Sequence, residues 1–398
     1  MHFDDILKSL IEKKGSDLHL KADRPPLMRI LGDLLPSEFP ALSDDDIQAI
    51  FKKIMPEKTY QKYLDDFEAD VSYQIPGVAR FRVNTFFQQG RPGAAIRLIP
   101  VTIPTIDQMR LPPVLKDIVA KNQGLILVTG PTGSGKSTSL AAMIDHINAT
   151  SHCHIITIED PIEFVYTDKL STINQRQLGA DTKSLTEALR RALRQDPDVI
   201  LMGEIRDRDT MSIAMEAAQT GHLVLATLHT NDAKQTVDRV LDTFPPDEQN
   251  QVRGMLAMTL LGVVCQRLVR KADGTGRVAA VEILINSPKV ADLIREGKTR
   301  DIDKAMVTAG AYYRMQTFNQ ALAELVKTNV ITQEMALETS ATPDDLKLML
   351  RGVMASGDTG ARQAVKTPEP PPPPAAPAAK PDAAATPAEG KIKISKGY

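Results

Sequence analysis

Residues 128–138 read VTGPTGSGKST, and their spacing implies phosphate chemistry. Gly130, Gly135, Lys136 and Ser137 fill the pattern G-x-x-x-x-G-K-[ST], whose backbone N–H groups wrap phosphates. The residues expected to touch a nucleotide are Gly130, Pro131, Thr132, Gly133, Ser134, Gly135, Lys136, Ser137 and Thr138. Lys136 would neutralise charge on the β- and γ-phosphates, and Ser137 would reach a Mg²⁺ ion. The helix after the loop would aim its positive end at the same anion. The competing reading is a chance glycine-rich turn. The flanks oppose it: an apolar GLILV precedes the loop and SLAAMIDHI follows, so strand, loop and helix stand in the required order.

Hydrolysis also needs a carboxylate to orient water. Apolar runs HIITIED and DVILMGEI end in acids, which makes Glu159, Asp160, Glu163 and Glu204 candidates. In an open parallel sheet the ligand lies at the carboxyl ends of strands, where these acids fall. For any one of them a solvated acid at a strand end is a serious competing reading, but their recurrence at successive strand ends is harder to dismiss that way. A second nucleotide motif usually closes its strand with Asp, whereas Gly203 and Glu204 stand here.

His222 and His229 bracket LVLATL. In an unbroken strand this separation is about 23 Å, at roughly 3.3 Å per residue, so both cannot meet one phosphate. His229, at the carboxyl end, is the expected γ-phosphate sensor; His222 reads equally as a polar cap. His152 and His154 lack the further ligands of a zinc site. Arg80 and Arg82 share one face of ARFRVNTF, with Arg97 in the next strand, AAIRLIP. Arginines beside an ATPase core can reach a neighbour's nucleotide, but on the residues alone an ordinary exposed strand face is the favoured reading.

The elements that must position these residues form two units. Of 398 residues, 42% are hydrophobic and 25% charged, and the net charge is −2, an ordinary balance with no advertisement for nucleic acid. Two distant cysteines, Cys153 and Cys265, argue against a disulfide framework and suit a reducing cytoplasm. The amino terminus carries no signal-peptide pattern, and no run of about 18 apolar residues is present to span a bilayer.

Residues 1–99 read as an α+β unit. A helix carries Phe3, Ile6, Leu7, Leu10 and Ile11 and stops at Gly15. A second helix starts at Ser43 or Asp44, and strands follow between about 67 and 100. The proline-rich segment 100–113 reads as a linker. Residues 114–355 alternate strands with helices as an α/β core with a largely parallel sheet. Ser184 and Glu187 form the outline of a capping box, and the pattern after 250 is mainly helical. The Pro/Ala-rich residues 356–398 cannot build a core and read as a disordered tail.

The ordered series LVTGPTGSGKST, TIEDPIEFV, DPDVILMGEIRD and TGHLVLATLHT resembles the type II/IV secretion ATPase superfamily. The chain is most similar to its type IV pilus retraction ATPases, the PilT/PilU group. GSDLHL, GVARFRVNTF, RVAAVEILINSP and LIREGK extend the resemblance over residues 1 to about 350.

It implies a homo-hexameric, ATP- and Mg²⁺-dependent ring motor that retracts pili. Each subunit would join a PAS-like N-terminal domain to a RecA-like ATPase domain. Glu163 matches the water-activating glutamate, and Glu204 the second-motif acid that supports metal and water. His222 and His229 match the histidine box, which returns weight to His222. Arg82 and Arg97 match arginines that reach nucleotide at an interface.

The implied partners are an inner-membrane platform protein, reached from the cytoplasmic side, and a second retraction ATPase. One departure is KVA at 289–291, where retraction motors usually carry AIR. Assembly ATPases usually carry a four-cysteine metal site, which two cysteines cannot form, so retraction stands ahead of assembly or secretion. A nucleotide-binding regulatory ring subunit is the alternative of another class. A nucleic-acid translocase would need a basic, aromatic-interleaved stripe that this sequence lacks.

Overall fold

Two sheets organise the chain, whose computed structural model describes residues 2–30, 32–99 and 102–352. The predicted tail at 356–398 lies outside the described residues. The first unit runs α1 (Phe3–Glu12), β1 (Gly15–Lys21), β2 (Leu27–Ile30), β3 (Asp33–Pro36), α2 (Asp44–Ile54), α3 (Glu57–Asp66), β4 (Glu68–Ile75), β5 (Ala79–Gln88) and β6 (Arg91–Ile99). Its six strands pair antiparallel in the order β3-β2-β1-β6-β5-β4.

Helix α1 buries Phe3, Ile6, Leu7 and Leu10, as its spacing predicts. Gly15 does not stop it: Lys14 takes the left-handed turn at φ 54°, and Gly15 already opens β1. A Cβ on Gly15 would lie 2.4 Å from Leu10 Cδ1, so the close helix–strand approach is what requires glycine there. Helix α2 starts at a reciprocal cap, in which Ser43 N–H donates to Asp46 Oδ2 at 2.9 Å and Asp46 N–H to Ser43 Oγ at 3.2 Å. Helix α3 and strands β2 and β3 have no counterpart in the sequence reading. The helix buries only Tyr60 and Tyr63, and the two strands have four residues each, too few to show a period.

The second unit continues with α4 (Val114–Val119), β7 (Gly124–Thr129), α5 (Lys136–Thr150), β8 (His154–Glu159), β9 (Thr172–Gln177), α6 (Leu185–Ala192), β10 (Val199–Met202), α7 (Arg208–Gln219), β11 (Leu223–Leu228), α8 (Ala233–Asp242), α9 (Gln249–Thr259), β12 (Leu260–Arg270) and β13 (Arg277–Ile285). Helices α10 (Pro288–Arg295), α11 (Ile302–Tyr313), α12 (Phe318–Lys327), α13 (Gln333–Thr339) and α14 (Pro343–Leu350) complete it. The sheet order is β13-β12-β7-β11-β10-β8-β9, parallel except where β13 returns along β12. Strands β7, β10 and β11 are buried along their whole length, which is why each reads as an unbroken apolar run.

Alternate residues serve opposite layers. Leu125 and Leu127 pack with the layer of α6 to α9, and Ile126 and Val128 with α4 and α5. Ile106 and Leu111, within the proline-rich stretch, are buried in the second of these layers.

The region after 250 is mainly helical as expected, but it also holds β12 and β13, which the sequence reading did not place. Helix α9 passes directly into β12 at Leu260 without glycine or proline, so nothing in the composition marks the change. The capping box at Ser184 is also half of what its outline suggests. Ser184 Oγ accepts the Glu187 N–H at 3.3 Å, but the Glu187 carboxylate turns to Arg190. None of the described helices is long and apolar enough to cross a membrane.

Glu282, inside β13, joins the sheet to two helices. Its carboxylate accepts the N–H of Ala233 at 2.8 Å and of Phe318 at 3.2 Å, the first residues of α8 and α12. Burial pushes this carboxyl from an ordinary 4.5 up to about 7, even though both N–H groups favour its ionised form. Its contribution to stability is therefore complete below about pH 4.5 and is lost as pH rises through about 7, on the order of 3 kcal/mol in all. Glu282→Gln should flatten the fall of the urea midpoint between about pH 4.5 and 7; an unchanged slope would show that this carboxyl is not its source.

Candidate active site

The loop between β7 and α5 has three glycines at positive φ: Gly130 at 141°, Gly133 at 77° and Gly135 at 88°. At Gly130 the space is closed as well, because a Cβ would sit 2.3 Å from Gln266 O and 2.7 Å from Ser134 Oγ. The loop thus hugs β12, with its backbone free to face outward.

Gln266 is a residue that sequence reasoning missed. It is fully buried, accepts from Ser139 Oγ at 2.7 Å and donates Nε2–H to Ser134 O at 2.8 Å. Its amide therefore holds both the loop and the first turns of α5. The available signal was a single amide side chain inside the apolar run LLGVVCQRLV.

Lys136 opens α5. Its ammonium is 9% exposed as a residue and donates to Gly130 O at 2.8 Å and Pro131 O at 3.2 Å. Burial pulls it below the usual lysine value, against the opposing charges of Glu204 and Glu163. Ser137 follows and shares a cleft with Glu159, Asp160, Glu163, Phe164 and Gly203.

The four acids, open alternatives in the sequence, have different surroundings. Glu159, at the end of β8, is buried and accepts from Thr157 Oγ1 at 2.6 Å and Gln175 Nε2 at 3.2 Å. Burial pushes its carboxyl up despite those bonds. Asp160 and Glu163 are exposed on the following segment, with the buried Ile162 and Phe164 anchoring either side of Glu163.

Glu204 lies two residues past β10, on a strap stitched to both neighbouring strands. Gly203 N–H donates to Ile158 O at 2.8 Å, and Ile205 N–H to Thr227 O at 3.1 Å. A Cβ on Gly203 would lie 3.3 Å from Glu159 Cα, which explains the glycine before the acid. Glu204 Oε2 accepts from Arg206 at 2.8 Å, and Oε1 lies 3.2 Å from His229 Nε2. Burial would raise the Glu204 carboxyl, but Arg206, His229 and Lys136 together hold it below the usual range.

The carboxyl edge of β7, β8, β10 and β11 therefore assembles Lys136, Ser137, Glu163, Glu204 and His229. His222 is not among them. Strand β11 is unbroken from Leu223 to Leu228, and His222 precedes it, with N–H and Nδ1 against Ala217 O at 3.1 and 3.0 Å. Arg82 and Arg97 are cross-strand partners on β5 and β6, facing Asp70 at 3.7 Å and Asp17 at 2.8 Å. Among the described residues neither pairs with the seven-stranded sheet; Arg80 does, donating to Gln177 at 3.1 Å. His154 engages both ring nitrogens, with Asp196 O at 2.9 Å and Asn174 Nδ2 at 2.8 Å.

The donor chemistry suits a nucleotide with Mg²⁺. Gly130 and Gly135 line a cradle that a Cβ would obstruct, and the hydroxyl of Ser137 and carboxylate of Glu204 are hard oxygen donors on the cradle's edge.

Comparison with known proteins agrees with this architecture. The family model described as type II/IV secretion system protein matches residues 67–365. The Pseudomonas aeruginosa type IV pilus retraction ATPase PilT is 45% identical over 345 residues, covering 87% of this chain and all of that one (100%). The same organism's type IV pilus ATPase PilU is 41% identical over 351 residues, 88% of this chain and 92% of its own. A crystal structure of the pilus retraction motor PilT with bound ADP superposes with a TM-score of 0.82 at 46% identity, covering 87% of this chain and 99% of that one. Matched in this way over most of its length, the chain belongs to the type II/IV secretion ATPases and, within them, to the PilT-like members.

Proposed function

We propose that this protein is the ATP-hydrolysing ring motor that disassembles and retracts a type IV pilus, working from the cytoplasmic side of the inner membrane. The observation that carries this reading is the pairing of Glu204 with His229 on the strand edge that also bears Lys136, in a chain aligned with the whole of PilT.

In this reading Lys136 leaves the carbonyls of Gly130 and Pro131 and donates to β/γ-phosphate oxygens, while the loop N–H groups hold the rest of the triphosphate. Glu163 accepts the proton of the attacking water. Glu204 orients that water, and His229 reads the presence of the γ-phosphate through its contact with Glu204. Ser137 and Glu204 would hold Mg²⁺, which would supply charge neutralisation at the phosphates.

The subunit divides into an N-terminal domain (1–99), a connecting segment (100–113) and the ATPase domain (114–355). Six copies form the ring. Arg82 and Arg97, exposed on β5 and β6, and His222, at the amino end of β11, serve an inter-subunit site in this reading. Opening and closing such sites in turn converts hydrolysis into rigid-body movement, delivered to an inner-membrane platform protein.

A PilU-like accessory motor is the second reading, favoured by one feature of α10. Within KVA, Val290 is buried and keeps the helix packed, while Lys289 is exposed and Ala291 is half-buried. The departure from AIR thus changes an exposed and a half-buried position and, at the buried one, only exchanges Ile for the smaller Val.

Counting surface pili after deletion of the gene, with wild-type or Lys136→Ala copies restored, decides between these. Excess pili corrected by the wild-type copy alone is the expected result. An unchanged count would favour the accessory role, and absent pili would mean assembly.

A further inference from the structure

Gln177, the last residue of β9, is a meeting point between the two sheets. Its side-chain oxygen accepts from Arg80 Nη2 of β5 at 3.1 Å, from Ser72 Oγ of β4 at 3.3 Å, and from the Ile162 N–H at 3.4 Å. An amide oxygen has two lone pairs, so three donors share it, and the Ile162 contact is the longest. Ile162 immediately precedes Glu163 and is buried, so a shift in its backbone must move the Glu163 side chain. The rest of Gln177 is fixed. Its N–H donates to Asp181 Oδ2 at 2.8 Å, its carbonyl accepts from Asp181 at 2.8 Å, and its backbone pairs with Glu159.

Arg80 is half-buried at this junction. Burial lowers its pKa, and the charges of Glu159 and Asp181 oppose that fall. Arg82, two residues on along the same strand face, pairs instead with Asp70 of its own sheet.

We infer that Arg80 is a positioning residue, which couples the placement of the N-terminal sheet to the orientation of Glu163 through the shared oxygen of Gln177. With Arg80 engaged, the 160–164 segment takes the geometry seen here. When the N-terminal domain swings away, Arg80 and Ser72 both leave, Gln177 is left to Ile162 alone, the segment shifts, and turnover falls. The inference rests on the reading of Glu163 as the water-activating carboxylate, and it gives that domain a part in timing hydrolysis without touching nucleotide.

Steady-state hydrolysis by the purified full-length chain tests it. Arg80→Ala should lower kcat about tenfold with KM for ATP within about twofold, since a misplacement of about 1 Å at the reacting groups is felt in kcat. Arg80→Lys, which keeps a donor, should recover most of the loss. Adding Arg80→Ala to Gln177→Leu should cost little beyond Gln177→Leu alone, because both act through one oxygen. Unchanged kcat in Arg80→Ala, a change confined to KM, failure of Arg80→Lys to rescue, or full additivity in the pair would each overturn the inference. Glu163→Gln is measured beside them. If it loses turnover while Arg80→Ala does not, the inference alone fails; if it keeps wild-type turnover, the reading of Glu163 fails and takes the inference with it.

Discussion

Lys136→Ala is expected to reduce kcat/KM for ATP by about 10³-fold, or about 4 kcal/mol, the range seen when one preorganised electrostatic group is removed from a reacting centre. The ammonium is nearly enclosed, so no solvent cation takes its place, and its own α5 begins at that residue. Two carbonyls, Gly130 O and Pro131 O, now hold it at 2.8 and 3.2 Å. These bonds are short enough to keep the side chain ordered, and phosphate oxygens, which carry full charge, would outcompete them. Lys136→Arg should not restore activity, because a planar guanidinium cannot occupy the site of a compact ammonium under this loop. Hydrolysis measured by phosphate release within tenfold of wild type in Lys136→Ala would overturn the assignment.

The second large effect is expected at Glu163. Glu163→Gln should lower kcat by a factor on the order of 10² to 10³ while nucleotide binding persists, as the loss of a general base requires. The same change at Glu159 should act differently. That carboxyl is buried, bonded to Thr157 and Gln175, and pushed toward its neutral form, so Glu159→Gln should alter the packing of 160–164 more than proton transfer. Glu204 is tied to Arg206 and His229 and held ionised, which suits an orienting acid better than one that accepts a proton. Single-turnover hydrolysis with a separate binding measurement distinguishes these cases. A Glu163→Gln protein with normal turnover would return the choice to the remaining carboxylates.

The contrast among these acids shows where the sequence was readable. Four carboxylates stood at strand ends in the text, and nothing in their spacing ranked them. Ranking came from burial and partners: Thr157 two residues away and Gln175 on the neighbouring strand for Glu159, and His229 across from Glu204. The two histidines were partly legible, because a strand of known rise separates its ends whatever surrounds it. Strands β12 and β13 were not legible, since an apolar run following a helix without a break carries no period that marks a strand. Their loss from the sequence reading also hid Gln266 under the phosphate loop.

By itself the sequence determined what is local: the loop at 128–138, the helix cap at Ser43, and the buried strands, because each depends on residues within a few positions of one another. Tertiary structure alone decided which distant residues share an atom. Gln266 reaches Ser134 and Ser139 because β12 pairs with β7, and Arg80 reaches Gln177 because two sheets meet at the end of β9. Such contacts are chosen by the packing of whole elements, whose cost and gain are spread over many residues, so no short stretch of sequence records them.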